Sequence, residues 1–486
     1  MVQPCAGVSD LSRKQQLLKR HRRNKRVALV IVLIILAVTG VLVAWWLPLI
    51  LAVLVWVAHE AWFSDHLFYS PGDDYQYRFA EQHEVSGVRL EDGLLRLDQP
   101  LLLDGSETLI LAVPVKSSLL GRFLDPFVEL QGAGLHDTQA FERGVDGLRY
   151  LNLTGLGVAL STGTLRVLGR HCAINGQPRL WSFRHGDVRR QRVMVIAPHA
   201  DDAELAAFGL YSSADESWIV TLTAGEIEAE HYQQMGMSPV EAARVKGRLR
   251  AWDSITVPRW AGVPESRCVQ LGYFCLQLPA MQAAPDQPVA SREADIADTR
   301  LFRQFNTLQL PGDADGAPTW NNLIADLKAL LLLARPEVLV MPHATIDPHP
   351  DHICSQAAVI EALRGLEWQP RVILGYANHL HDNDRWPMGN AYSGVALPPV
   401  FDADQPLLPY SIELTVDVQR DKAMALGMMH DLQPAAALKR RLRRWLQMLL
   451  AGRRWPAEGE NEFFRKAVRR HELFWRQDIN ANEIVE

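Results

Sequence analysis

No charged residue occurs from Val27 to Ala58, a run of 32 positions. Wound as one helix it would be about 48 Å long, against a bilayer hydrocarbon core of about 30 Å. A single span does not use it up. Carried on to Phe63, the stretch accommodates two spans of about 18 residues. Pro48 falls near the midpoint, where a proline ends a helix, and Trp45 and Trp46 beside it suit a membrane interface. The pattern predicts a transmembrane helical hairpin over residues 27–63. Its rival is one span, Val27 to Trp46, followed by an interfacial helix. The run is too long for a signal-peptide core and no small-residue cleavage site follows it.

The pattern then changes twice. Residues 64–80, with Ser70-Pro-Gly-Asp-Asp74, read as a linker. Residues 81–185 alternate apolar and polar positions in short runs such as Thr108-Leu-Ile-Leu-Ala-Val113 and Thr164-Leu-Arg-Val-Leu168, punctuated by Gly, Asp and Pro. This period predicts a β-sandwich-like domain. Tyr150 and Trp181 are its candidates for stacking on a sugar, although aromatics more often fill the core. Residues 186–486 alternate continuous apolar runs with helical periods. Strands are expected at 193–197, 218–223, 338–341 and 371–376, and helices at 203–213, 239–254, 323–334 and 352–363. That alternation predicts an α/β fold with a parallel sheet. Residues 282–320, rich in Pro, Asp, Ala and Gln, read as a long loop or lid. No Gly-x-Gly-x-x-Gly follows any strand, which argues against a dinucleotide site.

Charge adds a membrane argument. The formal net charge of −6 conceals two basic stretches: residues 13–26 hold eight Lys or Arg and residues 439–454 hold seven, with no acid in either. The acidic remainder argues against nucleic acid as a partner. In Leu438-Lys-Arg-Arg-Leu-Arg-Arg-Trp-Leu-Gln-Met-Leu-Leu450 the apolar residues form one helical stripe opposed by basic ones. Such a segment suits either a membrane surface or packing on the domain. The basic tail, residues 1–26, should stay cytoplasmic by the positive-inside rule. A hairpin then places the body on the cytoplasmic face of the inner (plasma) membrane, and a single span places it outside, in the periplasm. The five cysteines, Cys5, Cys172, Cys268, Cys275 and Cys354, form no Cys-x-x-Cys. Their odd number suits a reducing compartment, although a Cys268–Cys275 bridge stays open.

Two clusters carry chemistry. Val193-Met-Val-Ile-Ala197 is a strand pattern stopped by Pro198, and His199, Asp201 and Asp202 follow at once. His199 and Asp202, three residues apart, can reach one cation while Asp201 faces another atom. Alone, these acids read equally well as helix caps. A second strand pattern also ends in Pro-His, at His343, and shortly afterwards comes His349-Pro-Asp351-His352. Strand-end loops facing each other across a sheet edge are where α/β folds bind ligands. His, His and Asp together make a three-ligand catalytic zinc set with an open position.

The motifs His199-Ala-Asp-Asp-Ala-Glu204 and His349-Pro-Asp-His352, in this order, resemble the PIG-L/LmbE-like family of zinc-dependent N-deacetylases, in a membrane-anchored, bacterial form. The likeness runs from about residue 191 to about 464. It implies a Rossmann-like sheet, Zn2+ or another divalent metal, and an N-acetylated sugar substrate of the GlcNAc type, with a lipid- or phosphate-linked envelope glycan or its precursor among the candidates. It also implies that His199, Asp202 and His352 bind the metal, that Asp201 is the general base, and that His349, oriented by Asp351, faces the oxyanion. Glu226, in Thr223-Ala-Gly-Glu226, and Arg244 are implied to border or bind substrate. Ala200 and Ala203 depart slightly from the family pattern, and Gly247 replaces a family Glu. A zinc hydrolase of another bond, such as an ester, and a non-catalytic membrane-tethered glycan-binding protein are the alternatives. A binding protein has no use for a base beside the metal.

Overall fold

The computed structural model describes residues 8–479 apart from 66, 100, 102, 104, 403–406, 435 and 436, with side chains from Leu18 onward. Cys5 and the side chains of Arg13 and Lys14 lie outside the described residues. One helix runs Val8–Leu42 and a second Leu47–Ala58, continuing as a wider turn over His59–Phe63. Pro48 lies in the first turn of the second helix, where its missing N–H costs no hydrogen bond. A Cβ on Gly40 would lie 3.0 Å from the Pro48 ring, so the two helices approach closely there. Leu18–Leu42, 25 residues, is long and apolar enough to cross a membrane; Leu47–Phe63 is apolar but shorter. Of the two spans expected, one therefore has full length among the described residues.

Two antiparallel sheets of five strands follow. The first is built on Thr108–Ser117 paired with Arg179–Phe183 and Asp146–Asn152. The second is built on Phe127–Gly132 paired with Leu135–Ala140 and Arg166–Arg170. Alternation puts Leu111, Val113 and Leu151 of one sheet against Leu95, Val128 and Val167 of the other in a single core. The opposite face of the first sheet carries Ile110, Ala112, Tyr150 and Trp181. It packs on Trp386, Leu397 and Trp475 of the following segment. Tyr150 and Trp181 are thus buried between the two parts of the molecule, not available to a sugar. Tyr75, in the stretch read as a linker, is buried in the same contact.

The remaining chain forms a seven-stranded sheet in the order Cys268–Tyr273, Glu216–Thr223, Arg192–Ala197, Val338–Pro342, Val372–Tyr376, His471–Asp478, Pro409–Glu413. The first five are parallel, and His471–Asp478 pairs antiparallel with both of its neighbours. Both faces are covered. Asp202–Ser213 and Val416–Met428 contribute to one core, and Trp320–Ala334 and Pro350–Arg364 to the other. Strand order moves outward one way from Arg192–Ala197 through Glu216–Thr223 to Cys268–Tyr273, then reverses to Val338–Pro342. The carboxyl ends at such a reversal leave a crevice between loops that part in opposite directions. Residues 282–320 are mostly irregular, as expected, but pinned. Arg303 is buried and donates to Asp326 Oδ2 at 2.7 Å and Asp313 Oδ1 at 3.0 Å. Cys268 and Cys275 are both free thiols.

Candidate active site

The two strands at the reversal are neighbours, with Val193–Val195 registered on Val338–Val340. Their ends release the two motifs side by side. After Pro198 the chain turns and enters the helix Asp202–Ser213. Asp201 stands at the N-cap position but its side chain makes no capping bond. Arg250 Nη2 donates to its Oδ1 at 3.0 Å instead. Asp202 turns back: its Oδ2 accepts from the His199 backbone N–H at 2.9 Å and lies 3.0 Å from His199 Nδ1.

His349 is the N-cap of the helix Pro350–Arg364, and Pro350 takes a first-turn position. Asp351 and His352 follow, both fully buried. His352 Nε2 lies 3.2 Å from Asp202 Oδ2, joining the second motif to the first. Asp351 Oδ2 lies 3.2 Å from His199 Nε2 and accepts the Leu276 N–H at 2.7 Å. The His349 ring centroid is 4.9 Å from those of both His199 and His352. Five of the six motif residues therefore meet, and Asp201 flanks them from its bond with Arg250. Asp351 does not reach His349 by a hydrogen bond. Its Oδ1 and the His349 Nδ1 are both buried without a partner, and its other oxygen is turned to His199.

The electrostatics describe a seat for positive charge. Burial pushes the His352 imidazole down, but Asp202 and Asp347 outweigh it and raise it to about 10. Burial likewise opposes charge on His199, and its hydrogen bonds to Asp202 and Asp351 raise it well above the ordinary histidine range. Burial would raise Asp202; His352 and His199 hold it well below the usual carboxylate range instead. His349 goes the other way, down to about 3, through burial and then the charges of His352 and His199.

The donor set fits a metal ion on two counts. The Asp202 oxygen lies 3.0 Å and 3.2 Å from the two ring nitrogens. A tetrahedral site with bonds of about 2.0–2.1 Å separates its ligand atoms by roughly 3.3 Å. His352 Nε2 is also buried without a hydrogen-bond partner while Nδ1 is held 2.9 Å from Asp347 Oδ2. A carboxylate on one ring nitrogen fixes the tautomer and aims the other at a metal. Ligand atoms of His199, His349 and His352 lie within 4.8 Å of one another, as do those of Asp202, His352 and His379.

Several contributors lie outside the two motifs. Asp347, fully buried, accepts from the His349, Asn378 and His379 backbone N–H groups at 3.1, 2.9 and 3.1 Å besides its contact with His352. An isolated carboxylate at that depth would cost several kcal/mol, so these donors are what make it tenable. Asn378 Nδ2 donates to Asp202 Oδ1 at 2.8 Å. Cys275 Sγ lies 3.6 Å from His199 Nε2. Asp347 sits between the second strand's Pro-His and the His-Pro-Asp-His motif and is open to notice as a second acid there. Asn378, His379, Arg250 and Cys275 come from other loops and carry no local signal.

Arg244 and Glu226 make no hydrogen bond to the motif residues among the described residues, and Glu226 borders the cluster through Cys275. Arg244 donates to the Ala294 and Asp295 carbonyls at 2.8 and 2.9 Å. Glu226 is buried and accepts from Ser291 Oγ at 2.7 Å and the Cys275 N–H at 3.1 Å. Both hold down the 282–320 segment. Arg250, six residues past Arg244 on the same helix, reaches the site in its place, bonding Asp431 as well as Asp201. Gly225 makes room for it: its φ is +62°, and a Cβ there would lie 2.4 Å from Arg250 Nε. His430 stays half-exposed, 2.6 Å from Asp253 Oδ1.

An α/β sheet with His and Asp donors converging at its strand reversal offers a place where a metal ion and a ligand can be held together. Residues 194–363 match the family model PIG-L, described as GlcNAc-PI de-N-acetylase, and the segment is a PIG-L domain. A conserved protein from Thermus thermophilus is 19% identical, with TM-score 0.27, covering 49% of this chain and 78% of its own. GalB, the 4-carboxy-2-hydroxymuconate hydratase from Pseudomonas putida, is 14% identical, with TM-score 0.29, covering 53% and 83%. Superpositions this loose say nothing about shared function. No curated protein matches the chain.

Proposed function

We propose that this protein is a zinc-dependent deacetylase that hydrolyses the acetamide of an N-acetylated, GlcNAc-type sugar. The observation that carries the reading is the shared Asp202 oxygen, within 3.2 Å of a ring nitrogen from each motif, with Asp201 beside it and not part of it. His199, Asp202 and His352 would hold the ion. When bound, a divalent cation there supplies Lewis acidity to the attacking water and the amide carbonyl. Asp201 accepts a proton from that water and returns one to the departing amine. Arg250 keeps the Asp201 carboxylate in one orientation by its 3.0 Å hydrogen bond. His349 offers a ring N–H to the developing oxyanion. Atoms balance as amide plus water giving acetate plus free amine. Metal-dependent acetate release tests the reading.

The five parallel strands are taken as the Rossmann-like sheet of the family, and the paired antiparallel sheets as a β-sandwich. The division at 64–80, 81–185 and 186–486 is kept as the working domain plan. Residues 27–63 anchor the chain as a hairpin in the inner membrane, with the body cytoplasmic, where it meets glycan precursors. The break at 43–46 and the close approach at Gly40 and Pro48 support a chain that returns. A reporter active only when exported, fused after Glu486, is expected to be silent; an active one removes the hairpin.

A further inference from the structure

The helix Leu438–Ala451 is mounted in reverse. An amphipathic helix on a soluble surface turns its apolar arc inward. Here Leu438, Leu442, Trp445 and Leu449 are exposed, Leu438 at 81% and Leu449 at 57%. At about 100° per residue these four fall within roughly 60° of arc. The packed face lies away from this arc and mixes apolar with polar side chains, burying Leu446, Gln447 and Ala451. Arg443 pairs with the Glu60 carboxylate, Gln447 Nε2 donates to Ser64 Oγ at 3.0 Å and to the Glu60 carbonyl at 3.3 Å, and Ala451 is buried.

What this packed face grips, through Arg443 and Gln447, is the foot of the second apolar helix. The β-rich part grips the same foot from another side. Trp62 Nε1 donates to the Phe123 carbonyl at 3.0 Å, and the two rings meet edge-on at 5.8 Å. Arg143 donates to the Ala61 carbonyl at 3.3 Å. Arg453, one residue past the helix C-cap, binds Asp65 at 2.8 Å and Asp125 at 2.9 Å, so one guanidinium ties all three elements together. Each element leaves apolar side chains outward at this junction: Leu119, Leu120 and Phe123, then Phe63, then the helix arc.

We infer that these three elements form one membrane-docking collar, in which the tip of the β-rich part and the helix Leu438–Ala451 lie together in the bilayer surface. The occupant is lipid because the collar is continuous with the end of the apolar helix pair. Lys439 also flanks the arc, without an ion-pair partner among the described residues, as an interfacial helix on anionic lipid requires. Arg441 and Arg443 are spent on Glu460 and Glu60, and Arg444 stacks on Trp455. Apolar burial, more than the count of basic residues, therefore sets the docking. The inference rests on residues 27–63 entering a bilayer and gives the β-rich part a function: it fixes the catalytic body's tilt on the membrane.

The test uses the full chain in liposomes of phosphatidylethanolamine and phosphatidylglycerol. Photoreactive benzoylphenylalanine replaces, one at a time, Leu33, Leu120, Leu449 or Val158. Val158 is exposed but near the opposite end of the strand Arg166–Arg170 from Leu120. Mass spectrometry is expected to find lipid adducts at 33, 120 and 449 and none at 158. Lipid adducts at 33 with none at 120 or 449, or adducts there to a second copy of the chain, overturn the collar. Lipid labelling at 158 equal to that at 120 overturns the fixed orientation. No lipid adduct at 33 overturns the anchor reading on which the collar rests.

Discussion

Replacing His352 by Ala is expected to leave the protein unable to retain a stoichiometric divalent ion and without measurable hydrolysis. His352 supplies the only donor that the second motif aims directly at Asp202, 3.2 Å away, and its Nε2 has no other partner. Its loss also strips a partner from two buried carboxylates, Asp202 and Asp347. Breaking a buried pair costs about 3–5 kcal/mol, so thermal unfolding must be followed beside metal content. Asp347→Ala separates the two effects. It keeps every ligand but frees the ring, and removing such an outer partner costs about 10–100-fold in metal affinity. Competition against a chelator reads that difference. Full occupancy in folded His352→Ala protein would sink the proposed ligand set.

The second large effect is expected at Asp201. Asp201→Asn should bind metal as the parent does and lose about 10²–10⁴ in kcat, the usual worth of a general base. The amide keeps an oxygen for Arg250, whose bond to Oδ1 is 3.0 Å long, so the local packing survives. Substrate binding, and with it KM, should change little. If the variant instead loses its metal, the two adjacent aspartates have exchanged roles.

Both predictions concern residues that the sequence displays openly, and the reason is local. Each motif is a contiguous run at the end of an apolar strand, and a Pro marks the strand's end or the following helix's start. The two central parallel strands are legible for the same reason: 193–197 and 338–341 are unbroken apolar runs, and the observed strands extend them by a single residue. The strands at 268–273, 409–413 and 471–478 are not, because they bury polar groups. Glu472, for instance, sits in a strand yet accepts from the Gly209 and Leu210 N–H groups and from Lys422 Nζ. Its polarity is satisfied by partners 50 to 263 residues away, which no window along the chain can see.

Arg250 and Arg244 show the same limit within the site. Both lie on one helix, and only the tertiary contact decides that Arg250 meets Asp201 while Arg244 holds the 294–295 backbone. The stripe at 438–450 was visible as a period, but a period does not say which face turns toward the protein. The polar contacts to Glu60 and Ser64 decide that.

Acetate release from a panel of N-acetyl sugars, including lipid- and phosphate-linked GlcNAc, by the zinc-loaded full chain in liposomes tests the central claim most directly. Acetate and free amine should appear in equal amounts for at least one N-acetyl sugar, stop on chelation and return with zinc. Zinc-loaded, folded protein that releases no acetate from any of them, or that cleaves acetyl esters while leaving every acetamide intact, would contradict it.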